Sequence, residues 1–296
     1  MSIFSVTLND GRVLKGNAYL IDQPKANVLI ITGMQEYSAR YASFAAFLNR
    51  HGYSVHVLDH FGQGENAVTV EQQQRWPKGA WDFTLEALHT EATLLKREGH
   101  PVILMGHSMG SFFVQSYLEH FPLTVDKAII TGSNGPGMPY RLAKFLSSMT
   151  TTKKNWDKPS KFINKMAVGG YHVKNEKTPL DWLSYNEENV QNYIADPYCG
   201  YPNTCGFYHE FMGGMATLYQ KKYKKNLSPQ EHLLLVAGEE DPVGRNGKGV
   251  KKLAKMYHQC GIQDVTMHLY PKMRHEILNE NHNQVVLEDI LSFLES

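Results

Sequence analysis

A strand-like apolar run passes into a helix through one five-residue turn, and this junction constrains the fold more than any other part of the chain. Residues 102–105 read VILM, residues 106–110 read GHSMG, and a helical pattern follows over 111–120. A turn this tight crowds the backbone, so glycine is needed two residues on either side of the serine. The turn lifts the hydroxyl of Ser108 clear of the sheet and places a helix N-terminus beneath it. The pattern predicts a nucleophilic serine at the C-terminal end of a buried strand.

Strands and helices alternate along most of the rest of the chain. An Asn-Asp-Gly turn at 9–11 separates two strand-like runs and predicts a hairpin at the start. The other strand-like runs lie at 28–31, 53–58, 102–105, 127–131, 233–237 and 265–270, and helical patterns lie at 38–50, 82–98, 111–120, 248–259 and 281–294. This alternation predicts the α/β class, with a mostly parallel sheet covered by helices on both faces.

The alternation breaks at Gly132. Residues 133–228 carry clusters of Gly, Pro, Asn and Lys, many aromatic residues and only short helical fragments. We expect a single domain over 1–296 with an inserted cap subdomain at 133–228 that covers one end of the sheet. Its apolar side chains would line an acyl tunnel or form the small core of the cap, two alternatives that stay open for Met138, Phe145, Leu146, Met149, Phe162 and Met166.

The charge balance bears on the class of partner. The chain has 30 basic and 29 acidic residues, which gives no electrostatic reason to expect nucleic acid or an anionic membrane as a partner. No apolar run approaches the roughly 20 residues that span a bilayer, and the first residues lack the pattern of a signal peptide. We therefore expect a cytoplasmic protein without an integral membrane segment, for which transient contact with a membrane surface stays open. No sequence feature sets an oligomeric state.

The chain has three cysteines, which cannot all pair with one another. Cys199, Cys205 and Cys260 are therefore expected to be free thiols in a reducing compartment. Cys199 and Cys205 lack a second pair of metal ligands at a recognisable spacing, so we expect no metal site.

A serine hydroxyl needs a general base, and the base needs an orienting carboxylate. After a serine elbow of this kind, the acid and then the histidine should follow late strands in that order. The run 233–237 leads to Asp241, whose position before a proline is typical of a turn, and the run 265–270 leads to His275. The alternatives are Glu239 and Glu240 for the acid, and His268 and His282 for the base.

Two backbone N–H groups are candidates for an oxyanion hole. The residue after the nucleophile supplies one donor, the amide of Met109. The loop 32–36 (TGMQE) follows the strand-like run 28–31, and there the amide of Met34 is the candidate for the second donor.

Four segments together resemble the monoacylglycerol lipase and lysophospholipase group of α/β-hydrolases, which is related to the serine aminopeptidases. They are 32–36 (TGMQE), 106–111 (GHSMGS), 237–243 (AGEEDPV) and 274–276 (RHE); 181–184 (DWLS) and 196–201 (DPYCGY) also resemble a cap segment of bacterial members. The resemblance implies an α/β-hydrolase fold with a helical cap and a serine esterase acting on lipid-like or other apolar acyl esters. It also implies that Ser108, Asp241 and His275 match the family triad, and that Met34 and Met109 match its oxyanion donors.

The chain departs from this family at two places. The family usually has HG where residues 32–33 read TG, and DxRGxG where residues 59–64 read DHFGQG. Because the backbone of Met34 is the donor, the first change leaves that role intact, and neither change removes a member of the triad.

Three functions are compatible with these residues. The first is hydrolysis of a small-molecule acyl ester by a monoacylglycerol lipase, lysophospholipase or carboxylesterase, without metal or organic cofactor. The second is a peptidase of the proline iminopeptidase kind, in which acidic cap residues such as Glu187, Glu188 and Glu210 would bind the α-amine of the substrate. The third is a non-catalytic binding protein on the same scaffold.

Overall fold

The structure is a computed structural model that describes residues 1–137, 139–160, 163–164 and 170–296. The part described contains one eight-stranded sheet, with strand order β1-β2-β4-β3-β5-β6-β7-β8. The strands are β1 (Ser2–Thr7), β2 (Val13–Tyr19), β3 (Ala26–Ile31), β4 (Tyr53–Leu58), β5 (Val102–His107), β6 (Lys127–Thr131), β7 (Leu233–Gly238) and β8 (Val265–Tyr270). β1 and β2 form the predicted antiparallel hairpin, β2 pairs antiparallel with β4, and every pairing from β4 to β8 is parallel.

Helices lie on both faces of this sheet, as predicted. In the described residues they are α1 (Ala42–Arg50), α2 (Ala80–Arg97), α3 (Met109–His120), α4 (Tyr140–Thr150), α5 (Glu187–Ala195), α6 (Cys205–Met215), α7 (Lys221–Lys224), α8 (Lys248–Gln259) and α9 (Gln284–Glu295). The helix predicted over 38–50 begins instead with a 3-10 turn at Ser38–Tyr41. The fold class is confirmed, and most predicted boundaries lie within a few residues of the observed ones.

Strands β3, β4, β5 and β7 are buried along their whole length, and because successive side chains of a strand point in opposite directions, each strand contributes to both faces of the sheet. In β3, Leu29 and Ile31 pack into a core that includes residues of α2, α3 and α8. Val28 and Ile30 pack into a second core that includes residues of α1 and α9. The sheet is thus held from both sides, and the C-terminal ends of its parallel strands meet at one rigid edge.

The segment between β6 and β7 contains α4, α5, α6 and α7, three of them longer than the fragments predicted there. α4 packs against α6. A third cluster of buried side chains, around Trp182, Leu183 and Tyr193, lies within this segment. The segment therefore has packing of its own.

Two alternatives were open for the apolar residues of this segment, the wall of an acyl tunnel or the small core of the cap. Both alternatives are wrong for three of these residues. Phe145, Leu146 and Met149 lie on α4 with 59%, 47% and 68% of their surface exposed, so they form neither a buried core nor a tunnel wall. The others, Met138, Phe162 and Met166, lie outside the described residues.

All three cysteines are free thiols, as predicted. In the ranges that the structure describes, each helix is too short or too polar to cross a membrane.

Candidate active site

Ser108 lies at the junction of β5 and α3, with backbone angles φ 52° and ψ −117°. A positive φ is strained for a residue that carries a Cβ, and strain of this kind persists only where the surroundings enforce it. Here they do, because a Cβ on Gly106 would lie 2.4 Å from the carbonyl oxygen of Gly110, and a Cβ on Gly110 would lie 2.2 Å from that of Ile31. The close approach of α3 to the sheet therefore requires both glycines and holds the serine in its strained turn.

Asp241 and His275 follow β7 and β8 and come together at the same edge of the sheet. The Nδ1 atom of His275 lies 3.0 Å from Oδ2 of Asp241, and both side chains are almost fully buried. The other oxygen of Asp241 accepts a hydrogen bond of 2.8 Å from the amide of Val243, which orients the carboxylate. This bond to Nδ1 leaves Nε2 as the ring nitrogen available for proton transfer.

The alternative acids and bases lie elsewhere. Glu239 and Glu240 are exposed, and Glu240 accepts a hydrogen bond from the hydroxyl of Tyr185. His268 lies within β8 with its Nδ1 3.6 Å from Asp289, and His282 is exposed. None of these four rival residues lines the cavity that contains Ser108.

Ser108 and His275 line one cavity. Gly132, with φ +59°, lets the backbone pass close to the imidazole, since a Cβ there would lie 3.0 Å from Cε1 of His275. Among the described residues, the Ser108 hydroxyl makes no hydrogen bond to His275. Hydrogen bonds between a catalytic base and its nucleophile are often long or poorly aligned in the absence of substrate. Ser108 and His275 both line the cavity in which the substrate would bind.

Two opposing effects act on the pKa of His275. Burial lowers it, and the adjacent carboxylate of Asp241 raises it by charge and by hydrogen bonding. The pKa is raised overall, because Asp241, together with the carboxylates of Glu276 and Glu36, stabilises the charged imidazolium more than burial disfavours it.

The loop after β3 brings Met34 to the cavity, where Met109 at the start of α3 also lies. The amide of Gly33 donates a 2.6 Å hydrogen bond to Oε1 of Glu36, which fixes the turn just before Met34. The thioether of Met34 accepts a 2.9 Å hydrogen bond from Nδ2 of Asn203. The loop is thus held on both sides of the predicted oxyanion donor.

A buried ionic network behind the cavity was not predicted from the sequence. Arg40 binds both carboxylate oxygens of Glu276 at 2.8 Å and contacts Glu36 at 2.9 Å. Asn189 of α5 donates a further bond of 2.7 Å to Glu276. The i, i+4 spacing of Glu36 and Arg40 was the only sequence signal, because Glu276 is remote in the chain.

The two carboxylates of this network differ in pKa. Burial raises the pKa of Glu36, and the nearby carboxylate of Glu276 raises it further. Burial would raise that of Glu276 too, but the bidentate Arg40 and the bond from Asn189 lower it to about 2. Glu276 is therefore ionised, and it is paired with Arg40 directly beside His275.

His107, the residue before the predicted nucleophile, packs against His275 with ring centroids 4.7 Å apart. Burial, and then the neighbouring imidazole, lower the pKa of His107 to about 3. His107 is therefore neutral near pH 7, and it does not compete with His275 for the charge of Asp241.

The cavity has a volume of about 210 Å³ and mostly apolar walls. Side chains of the segment between β6 and β7 contribute to these walls, namely Tyr140, Tyr171, Leu180, Trp182, Leu183, Tyr193, Phe211, Met212 and Met215. Outside this segment, Phe112 of α3 and Val243, which follows β7, also line the cavity. An apolar group of a substrate bound beside Ser108 would therefore contact mostly apolar side chains.

The acidic residues considered for binding an amine lie outside this cavity. Glu187 and Glu188 are exposed, and Glu187 pairs with Lys177. Glu210 accepts a hydrogen bond of 2.9 Å from the amide of Gly79. The carboxylates that do line the cavity, Glu36 and Glu276, are already paired with Arg40.

Comparison with known proteins identifies similar sequences and structures. A family model described as "Serine aminopeptidase, S33" matches residues 22–282. A monoacylglycerol lipase of Mycolicibacterium smegmatis is 25% identical over 283 residues, which cover 92% of this chain and 89% of the lipase.

Solved structures of the same fold cover nearly the whole chain. A carboxyl esterase from Bacillus coagulans superposes with a TM-score of 0.89 at 24% identity, covering 100% of this chain and 98% of the esterase. A monoglyceride lipase from Saccharomyces cerevisiae superposes with a TM-score of 0.75 at 18% identity, covering 99% of this chain and 94% of the lipase. These likenesses confirm the predicted α/β-hydrolase fold.

Proposed function

Because the chain belongs to the serine aminopeptidase S33 family and is an α/β-hydrolase, we propose that it cleaves carboxylic esters of lipid-like or small acyl substrates. The observation that carries the proposal is the buried His275–Asp241 pair at the same cavity as the strained Ser108. The similarity to a monoacylglycerol lipase supports the same reaction.

In the proposed reaction, Ser108 Oγ attacks the ester carbonyl carbon while Nε2 of His275 accepts the hydroxyl proton. Asp241 keeps the imidazole oriented and stabilises its charged form. The amides of Met34 and Met109 donate hydrogen bonds to the oxyanion. His275 then gives its proton to the departing alcohol, which leaves the acyl group bonded to Ser108. A water molecule attacks the acyl carbon while His275 accepts its proton, and His275 returns the proton to Ser108 Oγ as the acid is released.

The cavity favours an ester over an N-terminal peptide. A peptidase that recognises a free α-amine needs an unpaired carboxylate near the serine, and both cavity carboxylates are paired with Arg40. The apolar walls suit an acyl chain, whereas a charged amine there would lose its water without a partner.

We also propose that residues 133–228 form a cap. Trp182, Tyr193 and Phe211 of this segment all line the cavity with Ser108, which supports a role in enclosing the substrate.

Hydrolysis assays separate these functions. We expect the protein to hydrolyse p-nitrophenyl butyrate and leave a prolyl anilide untouched, and Ser108→Ala to lose essentially all turnover. An ester whose acyl chain ends in a carboxylate should react more slowly than its uncharged counterpart, because burying the charge is unfavourable. Faster cleavage of the anilide than of the ester would favour the peptidase.

Labelling with a fluorophosphonate distinguishes an enzyme from a non-catalytic binding protein. We expect one label per chain on the wild type and none on Ser108→Ala. A folded wild-type protein that neither reacts with the probe nor hydrolyses any ester of a chain-length series would overturn the proposal.

A further inference from the structure

One segment of the insertion, Asp181–Asn186, is hydrogen-bonded to the chain on both sides of His275. The amide of Glu276 donates to the carbonyl oxygen of Leu183 at 2.7 Å. The guanidinium of Arg274 donates to the carbonyl oxygen of Asp181, also at 2.7 Å. Because these residues flank His275 directly, the insertion holds the loop that carries the imidazole.

A buried carboxylate strengthens the same connection. Glu280, which is 5% exposed, accepts hydrogen bonds of 2.8 Å from the amide of Arg274 and from the hydroxyl of Ser184. It also accepts a bond of 2.9 Å from the amide of Tyr185. One carboxylate therefore joins the histidine loop to the insertion, with charge-assisted bonds that are stronger than neutral ones.

Within this segment, Trp182 contacts the imidazole itself. The ring centroids of Trp182 and His275 lie 5.1 Å apart with an angle of 43° between the ring planes. Tyr171 packs against Trp182 at 4.9 Å, and only 8% of the Trp182 surface is exposed. The indole is thus held against the histidine by packing from Tyr171 of the same insertion.

The tryptophan at position 182 can do more than pack against the histidine that it contacts. The indole Nε1 of Trp182 is buried, and it has no hydrogen-bond partner among the residues that the structure describes. The same is true of the indole Nε1 atoms of Trp76 and Trp81, so the unpaired donor does not by itself distinguish Trp182 from these core tryptophans. A tryptophan does offer the strongest attraction of any side-chain ring for a cation within about 6 Å.

The other groups that face His275 come from different elements. Asp241 follows β7, His107 belongs to the elbow, Glu276 lies in the same loop, and Glu36 and Arg40 lie after β3. Asp241 contacts one ring nitrogen only. Trp182 is the aromatic contact that the insertion adds.

We propose that Trp182 is a positioning residue for His275, holding the imidazole in the orientation for proton transfer and stabilising its protonated form during the reaction. The inference rests on the proposed serine hydrolase mechanism. It also makes the insertion a part of the catalytic geometry in addition to a cover over it.

Two substitutions of Trp182 separate an aromatic contact from simple packing. We expect Trp182→Leu to lower kcat about tenfold and Trp182→Phe to lower it at most about threefold, in addition to any change in KM that follows because Trp182 also lines the cavity. The acid limb of the pH profile of kcat/KM should move to lower pH in Trp182→Leu, because the imidazolium loses a stabilising contact. Urea unfolding of each variant reports any loss of stability separately.

Trp156→Leu is the matched control, since Trp156 lies in the same insertion but packs against His209 and bonds to the backbone of Trp76. It should leave the pH profile unchanged even where it lowers stability. Equal kcat and equal pH profiles for Trp182→Leu and Trp182→Phe would overturn the inference.

A second measurement holds even if Trp182→Leu does not fold. Producing the protein in cells grown on 5-fluorotryptophan replaces each indole by a fluorinated one, which attracts a cation less strongly and has nearly the same shape. Fluorination should lower kcat of the wild-type protein and leave kcat of Trp182→Phe unchanged. An equal response in both proteins would overturn the inference. Failure of the wild-type protein to react with a fluorophosphonate would instead overturn the proposed function on which it rests.

Discussion

The guanidinium of Arg40 binds both carboxylate oxygens of Glu276 at 2.8 Å, and Glu276 is the residue next to His275. The same guanidinium contacts Glu36, whose carboxylate holds the loop of the predicted oxyanion donor. One buried cation therefore joins the two loops that would bracket the substrate carbonyl. This network sets the relative position of the two loops, and removing any of its members should have measurable consequences.

Removing Arg40 should destabilise the protein strongly. Arg40→Met leaves two buried carboxylates without their partner, which typically costs about 3–5 kcal/mol in the free energy of unfolding. Lys25→Met is the control, because its ion pair with Glu295 is exposed at 3.4 Å and such pairs contribute about 1 kcal/mol or less. Urea unfolding measures both, and equal small losses would show that the network adds no stability.

Glu36→Gln should impair catalysis more than substrate binding. The carboxylate accepts bonds from the Gly33 amide at 2.6 Å and from the Tyr41 hydroxyl at 2.8 Å, and a neutral amide accepts them less strongly. A loosened loop weakens stabilisation of the oxyanion, where a whole donor contributes about 10²–10³ in kcat. We expect kcat to fall about tenfold or more with a smaller change in KM, and Tyr41→Phe to have a weaker effect. A rise in KM alone would contradict this reasoning.

The pH profile of the wild type should show an acid limb above pH 6.5, the ordinary pKa of a histidine. Burial lowers the pKa of His275, but Asp241 together with Glu276 and Glu36 more than offsets it, and kcat/KM falls once the imidazole is protonated and cannot accept a proton. In Asp241→Asn, burial acts without the carboxylate, so the acid limb should move to lower pH. By analogy with other triads, kcat should also fall about 10⁴-fold. An unchanged limb in Asp241→Asn would show that another carboxylate sets the pKa of His275.

The placement of Ser108, Asp241 and His275 at one edge of the sheet was predictable because each signal is local. A strand followed by a turn residue can be recognised within about ten residues of sequence, and parallel strands then bring their ends together. The roles of these three residues stay predictions for the experiments above.

The ionic network and the Trp182 contact could not be predicted in the same way. Arg40 and Glu276 are 236 positions apart, and no local pattern indicates that they meet. The apolar residues of α4 show a different limit of prediction from sequence. Periodicity indicates a helix, but it does not show whether another element covers the apolar face of that helix. Phe145 and Met149 are accordingly exposed although their spacing suits a buried face.

Two glycines offer a matched test of how tightly the elbow is packed. Gly110→Ala should abolish activity and destabilise the protein, because the new Cβ would lie 2.2 Å from the carbonyl oxygen of Ile31 and would push α3 away from the sheet. Gly213 lies within α6, and a Cβ there would meet nothing within 4 Å. Gly213→Ala should therefore raise the free energy of unfolding by about 0.5–1 kcal/mol, because alanine is the better helix former. Urea unfolding and ester hydrolysis check both variants, and a Gly110→Ala protein with wild-type activity would show that the elbow is looser than these distances imply.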